Sequence, residues 1–302
     1  MDRQRNFSTY NKEILIMQYV TLNDGHKMPQ LGFGVFQVPD LNVAEEAVSD
    51  ALDTGYRLID TAAAYANEEA VGKAINNSPV DRDDIFVTSK LWVDHFTYKK
   101  AKQGIDDSLN KLGLDYIDLY LLHQPYGDIA GAWRALIEAQ KAGKIKSIGV
   151  SNFAPDQLMN LELMSNVKPA MNQIEVSPWF QEHDAVEFAK EQNIQVEVWA
   201  PFAEGKHDIF TNETIAKIGQ KYGKANGQVI LRWLMQRGIV VIPKSVHKAR
   251  MAENFDVFDF KLDDDDMKLM SSLDKNESQF FDHRDPAAIE SIFGQSLKAL
   301  RN

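Results

Sequence analysis

The chain has 302 residues, 44% of them apolar and 25% charged, with no cysteine and a formal charge of -11 at pH 7. That composition supports a large core and excludes global disorder, disulfides, thiolate metal sites and cysteine nucleophiles. An acidic chain without a basic block is unsuited to nucleic acid or an anionic membrane, so an anionic ligand would need a local basic site.

Residues 1–16 carry only Ile14-Leu15-Ile16 as an apolar run, too short for a secretory segment. They are expected to be a loosely ordered extension ahead of a single domain over residues 17–302. No apolar run reaches the length of a membrane span. The expectation is a cytoplasmic protein, monomeric or weakly homo-oligomeric, that meets neither membrane nor nucleic acid.

From residue 18 the pattern predicts a hairpin turning at Asp24-Gly25, because Asp-Gly between alternating segments is a strong turn signal. A Gly-rich strand over 30–36 follows, then an amphipathic helix over 43–54 closed by Gly55. Strands and helices then alternate. Strands are predicted over 57–60, 85–90, 116–123, 145–151, 170–175, 195–200 and 239–244, which with 30–36 makes eight. Most are short and continuously apolar, as strands covered on both faces should be. Helices are predicted over 67–77, 98–112, 129–142, 156–164 and 183–191, with two more across 211–237.

Alternating β and α segments imply a parallel sheet, and eight repeats imply closure into an α/β (β/α)8 TIM barrel with an N-terminal β-hairpin and extra C-terminal helices. An open doubly wound sheet is the alternative. The segment Gly32-Phe33-Gly34 lacks the third glycine of a dinucleotide fingerprint, and no phosphate-loop pattern exists. Asp263–Asp266 reads as a helix N-terminus, where carboxylates suit the dipole, rather than as a metal site. After it comes a tail loop and a short helix.

In a barrel of this kind the reactive face is the C-terminal ends of the strands. Asp60 ends the second strand, with Tyr65 in its loop; Lys90 ends the third and His123 the fourth. Taken singly, Tyr65 reads equally as packing, Lys90 as a rim lysine, Asp60 as a cap and His123 as a core histidine. Together they make an acid–base set. A phenol titrates near 10, an adjacent ammonium favours its phenolate, and Asp60 would hold Lys90 charged. His123 would polarise a carbonyl oxygen.

Three blocks carry a resemblance to a known family. They are Gly55–Glu68 with its Ile59-Asp60-Thr61-Ala62 core, Leu114–His123, and Ile242-Pro243-Lys244-Ser245 followed by Arg250 and Asn254. The chain resembles the aldo-keto reductases over nearly its whole length from Tyr19. The resemblance implies NADPH-dependent reduction of a small-molecule aldehyde or ketone, with Tyr65 as general acid and Asp60, Lys90 and His123 completing a tetrad. It implies that Ser151, Asn152 and Gln173 bind the carboxamide of the nicotinamide and that Trp199 stacks on its ring, in place of a more usual tyrosine. It further implies Lys244, Ser245 and Arg250 around the 2′-phosphate, and Glu253 and Asn254 at the adenine edge. No metal is implied.

Gln124, Val176-Ser177-Pro178-Trp179 and Trp199-Ala200-Pro201-Phe202 depart from the common family pattern and are similar to the bacterial branch of diketo-gluconate and glyoxal reductases. Candidate substrate walls are Phe36, Trp92, Tyr126 and Trp179. The alternative functional reading is a cofactor-holding interaction or regulatory subunit with little turnover. A barrel hydrolase built on Asp60 and Glu175 is a third, but it leaves the lysine, the tyrosine and the basic site without a role.

Overall fold

The structure is a computed structural model and describes residues 17–300. The extension expected over residues 1–16 lies outside the described residues. Strands β1 (Tyr19–Thr21) and β2 (Lys27–Pro29) form the antiparallel hairpin, in the register Tyr19↔Pro29 to Thr21↔Lys27. Its Leu22 and Met28 are fully covered and join the apolar cluster inside the barrel, so the hairpin plugs the N-terminal end.

Eight parallel strands follow: β3 (Phe33–Gly34), β4 (Leu58–Asp60), β5 (Phe86–Leu91), β6 (Ile117–Leu122), β7 (Ile145–Ser151), β8 (Met171–Glu175), β9 (Gln195–Trp199) and β10 (Val240–Val241). They pair in chain order, and a parallel bridge between Leu31 and Val241 joins the last to the first. Gly32 N–H donates to Val241 O at 2.8 Å and Val241 N–H to Gln30 O at 3.0 Å. The sheet closes, and the doubly wound alternative is set aside.

The first and last strands are shorter than the apolar runs predict. Pro243 has no N–H to give the ladder, which ends β10 early. Gly34 N–H still donates to Pro243 O at 3.3 Å, so the seam continues beyond the regular strands.

Helix α1 (Leu41–Thr54) starts at Asp40, whose side chain accepts from Asn42 N and Val43 N, and stops at Gly55 with φ 121°. Helices α2 (Glu68–Asn77), α3 (Tyr98–Leu112), α4 (Ile129–Lys141), α5 (Pro155–Ser165), α6 (His183–Glu191), α7 (Glu213–Tyr222) and α8 (Asn226–Gln236) lie close to their predicted spans. Helix α9 (Lys248–Phe255) follows the last strand, and α10 (Asp264–Ser271) is capped by Asp263, which accepts from Asp265 N and Asp266 N. The last helix, α11 (Pro286–Ala299), has 14 residues, longer than the short helix expected. Its buried residues are only Phe293 and Gly294, so its sequence carries little apolar periodicity.

Two apolar layers result. One lies between the strands and the helices. The other fills the N-terminal half of the barrel interior, around Leu58, Leu119, Leu121 and Met171. Towards the C-terminal ends the interior turns polar, with Asp60, Lys90, Gln173 and Glu197 all buried. Among the described residues no helix is long and apolar enough to cross a membrane.

Candidate active site

The loop after β4 is held by a buried asparagine. Asn67 Nδ2 donates to Val35 O at 3.0 Å and Val38 O at 3.2 Å, and Thr61 Oγ1 donates to Asn67 Oδ1 at 2.9 Å. A single turn over Ala63–Tyr65 and a left-handed Ala66 then set Tyr65 over the strand ends. Register brings the other groups to the same level. His123 N–H donates to Leu91 O at 3.1 Å, which places His123 directly above β5 and beside Lys90.

Lys90 is fully buried and has three oxygen partners: Asp60 Oδ1 at 2.6 Å, Thr61 O at 2.9 Å and Tyr65 Oη at 3.4 Å. Burial works to lower its pKa, but the charge and hydrogen bond of Asp60, together with Tyr65 and Glu197, outweigh it and hold the ammonium above its ordinary value. Tyr65 differs from the expectation. Burial raises its pKa and the Lys90 charge lowers it, and burial prevails, so the phenol keeps its proton at neutrality. Burial and the Lys90 charge together press His123 well below the ordinary histidine value. Its ring is therefore neutral, packed edge-on against Tyr65 at 5.7 Å and Trp92 at 5.1 Å between centroids.

These groups stand at one side of a cavity of about 950 Å³. Asp60, Tyr65, His123, Ser151, Asn152, Gln173 and Trp199 line it, and so do Lys244 and Arg250. Gln37 Nε2 donates to Glu204 Oε1 at 3.2 Å, a bond between two cavity-lining residues of different loops. Among the described residues no carboxylate pairs with Lys244 or Arg250, whereas neighbouring Lys248 is taken by Asp50 at 2.6 Å. Two unpaired cations, an indole face and a set of amide and hydroxyl groups around one cavity suit a ligand that carries both phosphates and a flat amide-bearing ring.

Other predicted residues stand apart. Ser245 and Asn254 are buried and Glu253 is exposed, and none of the three lines the cavity. Phe36 and Trp92 line it, with Phe36 4.9 Å from the Tyr65 ring. Tyr126 does not; it packs on Phe293 and donates its hydroxyl to His283 O at 2.6 Å. Trp179 is buried away from the cavity beneath Lys275, whose N–H donates to Trp179 O at 2.9 Å.

Sequence reasoning missed the walls supplied by the tail. Phe280, Phe281, His283, Ile292 and Phe293 all reach the cavity. Glu175, at the end of β8, fastens that tail: Ser278 Oγ donates to Glu175 Oε2 at 2.6 Å and Gln279 N–H to Oε1 at 2.9 Å. It also missed Glu197, although a lone acid two residues before Trp199 on an apolar strand is a visible period-2 signal.

The sequence matches the profile of the Aldo/keto reductase family over residues 30–275. Methylglyoxal reductase DkgA of Escherichia coli K12 is 46% identical over 261 residues, covering 85% of this chain and 94% of that protein. Glyoxal reductase of Bacillus subtilis is 44% identical over 259 residues, covering 85% and 93%. Among solved structures, an Asp-to-Ala variant of Gox0644 in complex with NADPH is 39% identical with a TM-score of 0.84, covering 89% of this chain and 97% of that one. A closed eight-stranded barrel with an N-terminal hairpin, a lysine–aspartate–tyrosine cluster at its C-terminal mouth and these likenesses agree: the chain is an enzyme of the aldo/keto reductase family.

Proposed function

We propose that this enzyme reduces small aldehydes and ketones with NADPH, using Tyr65 as the general acid. The observation that carries the reading is Lys90, buried and bonded to Asp60 at 2.6 Å, with its ammonium 3.4 Å from the hydroxyl of the cavity-lining Tyr65. When bound, the reduced nicotinamide supplies the hydride.

The chain's own residues do the rest. Lys244 and Arg250 bind the phosphates of the cofactor, Trp199 flanks its ring, and Ser151, Asn152 and Gln173 hold its carboxamide. The substrate carbonyl sits against Tyr65 and His123, with Phe36, Trp92 and the tail aromatics excluding water. Neutral His123 gives its one N–H to the carbonyl oxygen. Tyr65 passes its proton to that oxygen as negative charge grows there. The Lys90 ammonium stabilises the phenolate that remains, and Asp60 keeps Lys90 in place. The raised Tyr65 pKa keeps the acid loaded beforehand, and the ammonium makes its release easy. The relatives' names make methylglyoxal and glyoxal the first substrates to try.

The test follows NADPH oxidation with methylglyoxal, an aromatic aldehyde, a diketo-sugar acid and a simple ketone. Tyr65→Phe should cut turnover by about 10²- to 10⁴-fold, the usual worth of a general acid, with NADPH affinity unchanged. Near-normal turnover in that variant would remove the assignment. Tight NADPH binding by the wild type with no turnover of any substrate would favour a cofactor-holding subunit instead.

A further inference from the structure

Glu197 is a buried acid that the mechanism above does not use. It is a register partner of Gln173 across β8 and β9. Its relative exposure is 0%, and among the described residues no ammonium or guanidinium forms an ion pair with it. Its one hydrogen bond comes from Gln173 Nε2, which donates to Glu197 Oε1 at 2.9 Å; Oε2 has no partner among the described residues. The same Nε2 donates to Asp60 Oδ2 at 3.0 Å. Two carboxyl groups therefore share one amide nitrogen.

Lys90 is the only cation in this cluster of described residues and is already bonded to Asp60. A second negative charge beside Asp60 would be uncompensated. Burial first, and the Asp60 charge second, hold Glu197 well above the usual carboxylate range against the pull of Lys90 and the Gln173 hydrogen bond, and so favour its neutral form.

The consequence falls on Gln173. A primary amide offers two N–H donors at one end and an acceptor at the other, and can present either. Ionised Asp60 can only accept, so the nitrogen must face it. With both N–H groups engaged by Asp60 and Glu197, the carbonyl oxygen is the one hydrogen-bonding atom that Gln173 has left for the cavity it lines. We propose that Glu197 is a positioning residue of the reductase, holding Gln173 so that its carbonyl oxygen accepts from the carboxamide N–H of the nicotinamide. This rests on the NADPH reading above.

The experiment compares two cofactors by titration calorimetry: NADPH, and its reduced 3-acetylpyridine analogue, whose methyl ketone has no N–H to give. Glu197→Met removes the oxygen acceptor at similar length. It should weaken NADPH about 3- to 10-fold, the worth of one hydrogen bond, and move the analogue less than about twofold. Glu197→Gln keeps a neutral carbonyl acceptor and should match the wild type on both. Equal losses on both cofactors in Glu197→Met would make Glu197 merely structural, and no loss on NADPH would also overturn the proposal. Glu197→Leu replaces Glu197→Met should the latter fail to fold. Were both apolar variants to misfold, Glu197→Gln decides alone: a loss of NADPH affinity beyond about threefold overturns the proposal, since a neutral acceptor would then not suffice. A wild type that does not bind NADPH would defeat the cofactor reading itself, a result distinguishable from equal losses in the variant.

Discussion

The indole N–H of Trp199 donates to Asn152 Oδ1 at 2.8 Å. Asn152 sits in the left-handed region at φ 64°, and its Nδ2 donates to Ser151 Oγ at 3.1 Å and His123 O at 3.3 Å. The residue that stands where the family more often has tyrosine therefore does more than offer a ring. Its N–H ties the proposed stacking platform to the proposed carboxamide site.

Trp199→Phe keeps an aromatic face, if a smaller one, and removes that tie. NADPH affinity should fall by about 3- to 10-fold, the range of one hydrogen bond. Calorimetry is the suitable measurement, because the substitution also deletes a fluorophore. An unchanged affinity would show that Asn152 is held well enough by Ser151 and His123.

Lys90→Met should lose turnover and stability together. It leaves the Asp60 carboxylate buried without its cation, at a cost of about 3–5 kcal/mol. Adding Asp60→Asn should recover much of the stability while turnover stays lost. Urea melts of the single and double variants check this. A double variant no more stable than the single one would mean that the pair contributes by packing rather than by charge.

Arg250→Ala should weaken NADPH far more than NADH, because only the former carries a 2′-phosphate for the guanidinium to grip. The wild-type preference should also narrow as salt is added, since Arg250 is exposed. Affinities for both cofactors at two ionic strengths test it. Equal losses would place Arg250 elsewhere on the cofactor.

Two buried groups set opposite slopes of stability against pH. Glu197 keeps a proton in the folded state that the unfolded chain releases above about pH 4.3, so folding loses stability as pH rises from there towards the raised folded value. His123 stays neutral while its unfolded counterpart gains a proton below about pH 6.5, so stability is lost as pH falls below that point. Each contributes up to about 1.4 kcal/mol per pH unit within its window. Glu197→Gln removes the first slope alone. Its stability relative to wild type should therefore grow as pH rises above about 4.3, as urea melts would record. A constant difference would mean that Glu197 is ionised in the folded protein.

The barrel was legible because its signals are local. Each strand is a short apolar run, each helix has a cap or a period, and Asp60, Lys90 and His123 each fall at the end of such a run. Knowing that strands of a closed parallel barrel share one reactive face is enough to bring those residues together on paper. Other features depend on contacts between segments distant in sequence. The tail from Ser278 to Phe293 reaches the cavity because Glu175 and Tyr126 fasten it, across more than a hundred residues of chain. No local pattern encodes that crossing, and for the same reason Tyr126 and Trp179 were expected at a wall that Phe281 and Phe293 in fact supply. The protonation of Tyr65 and Glu197 was beyond the sequence as well. Neighbouring charge can be guessed from which residues converge, but desolvation is a property of the packed volume, and only the tertiary structure decides how much water each group has lost.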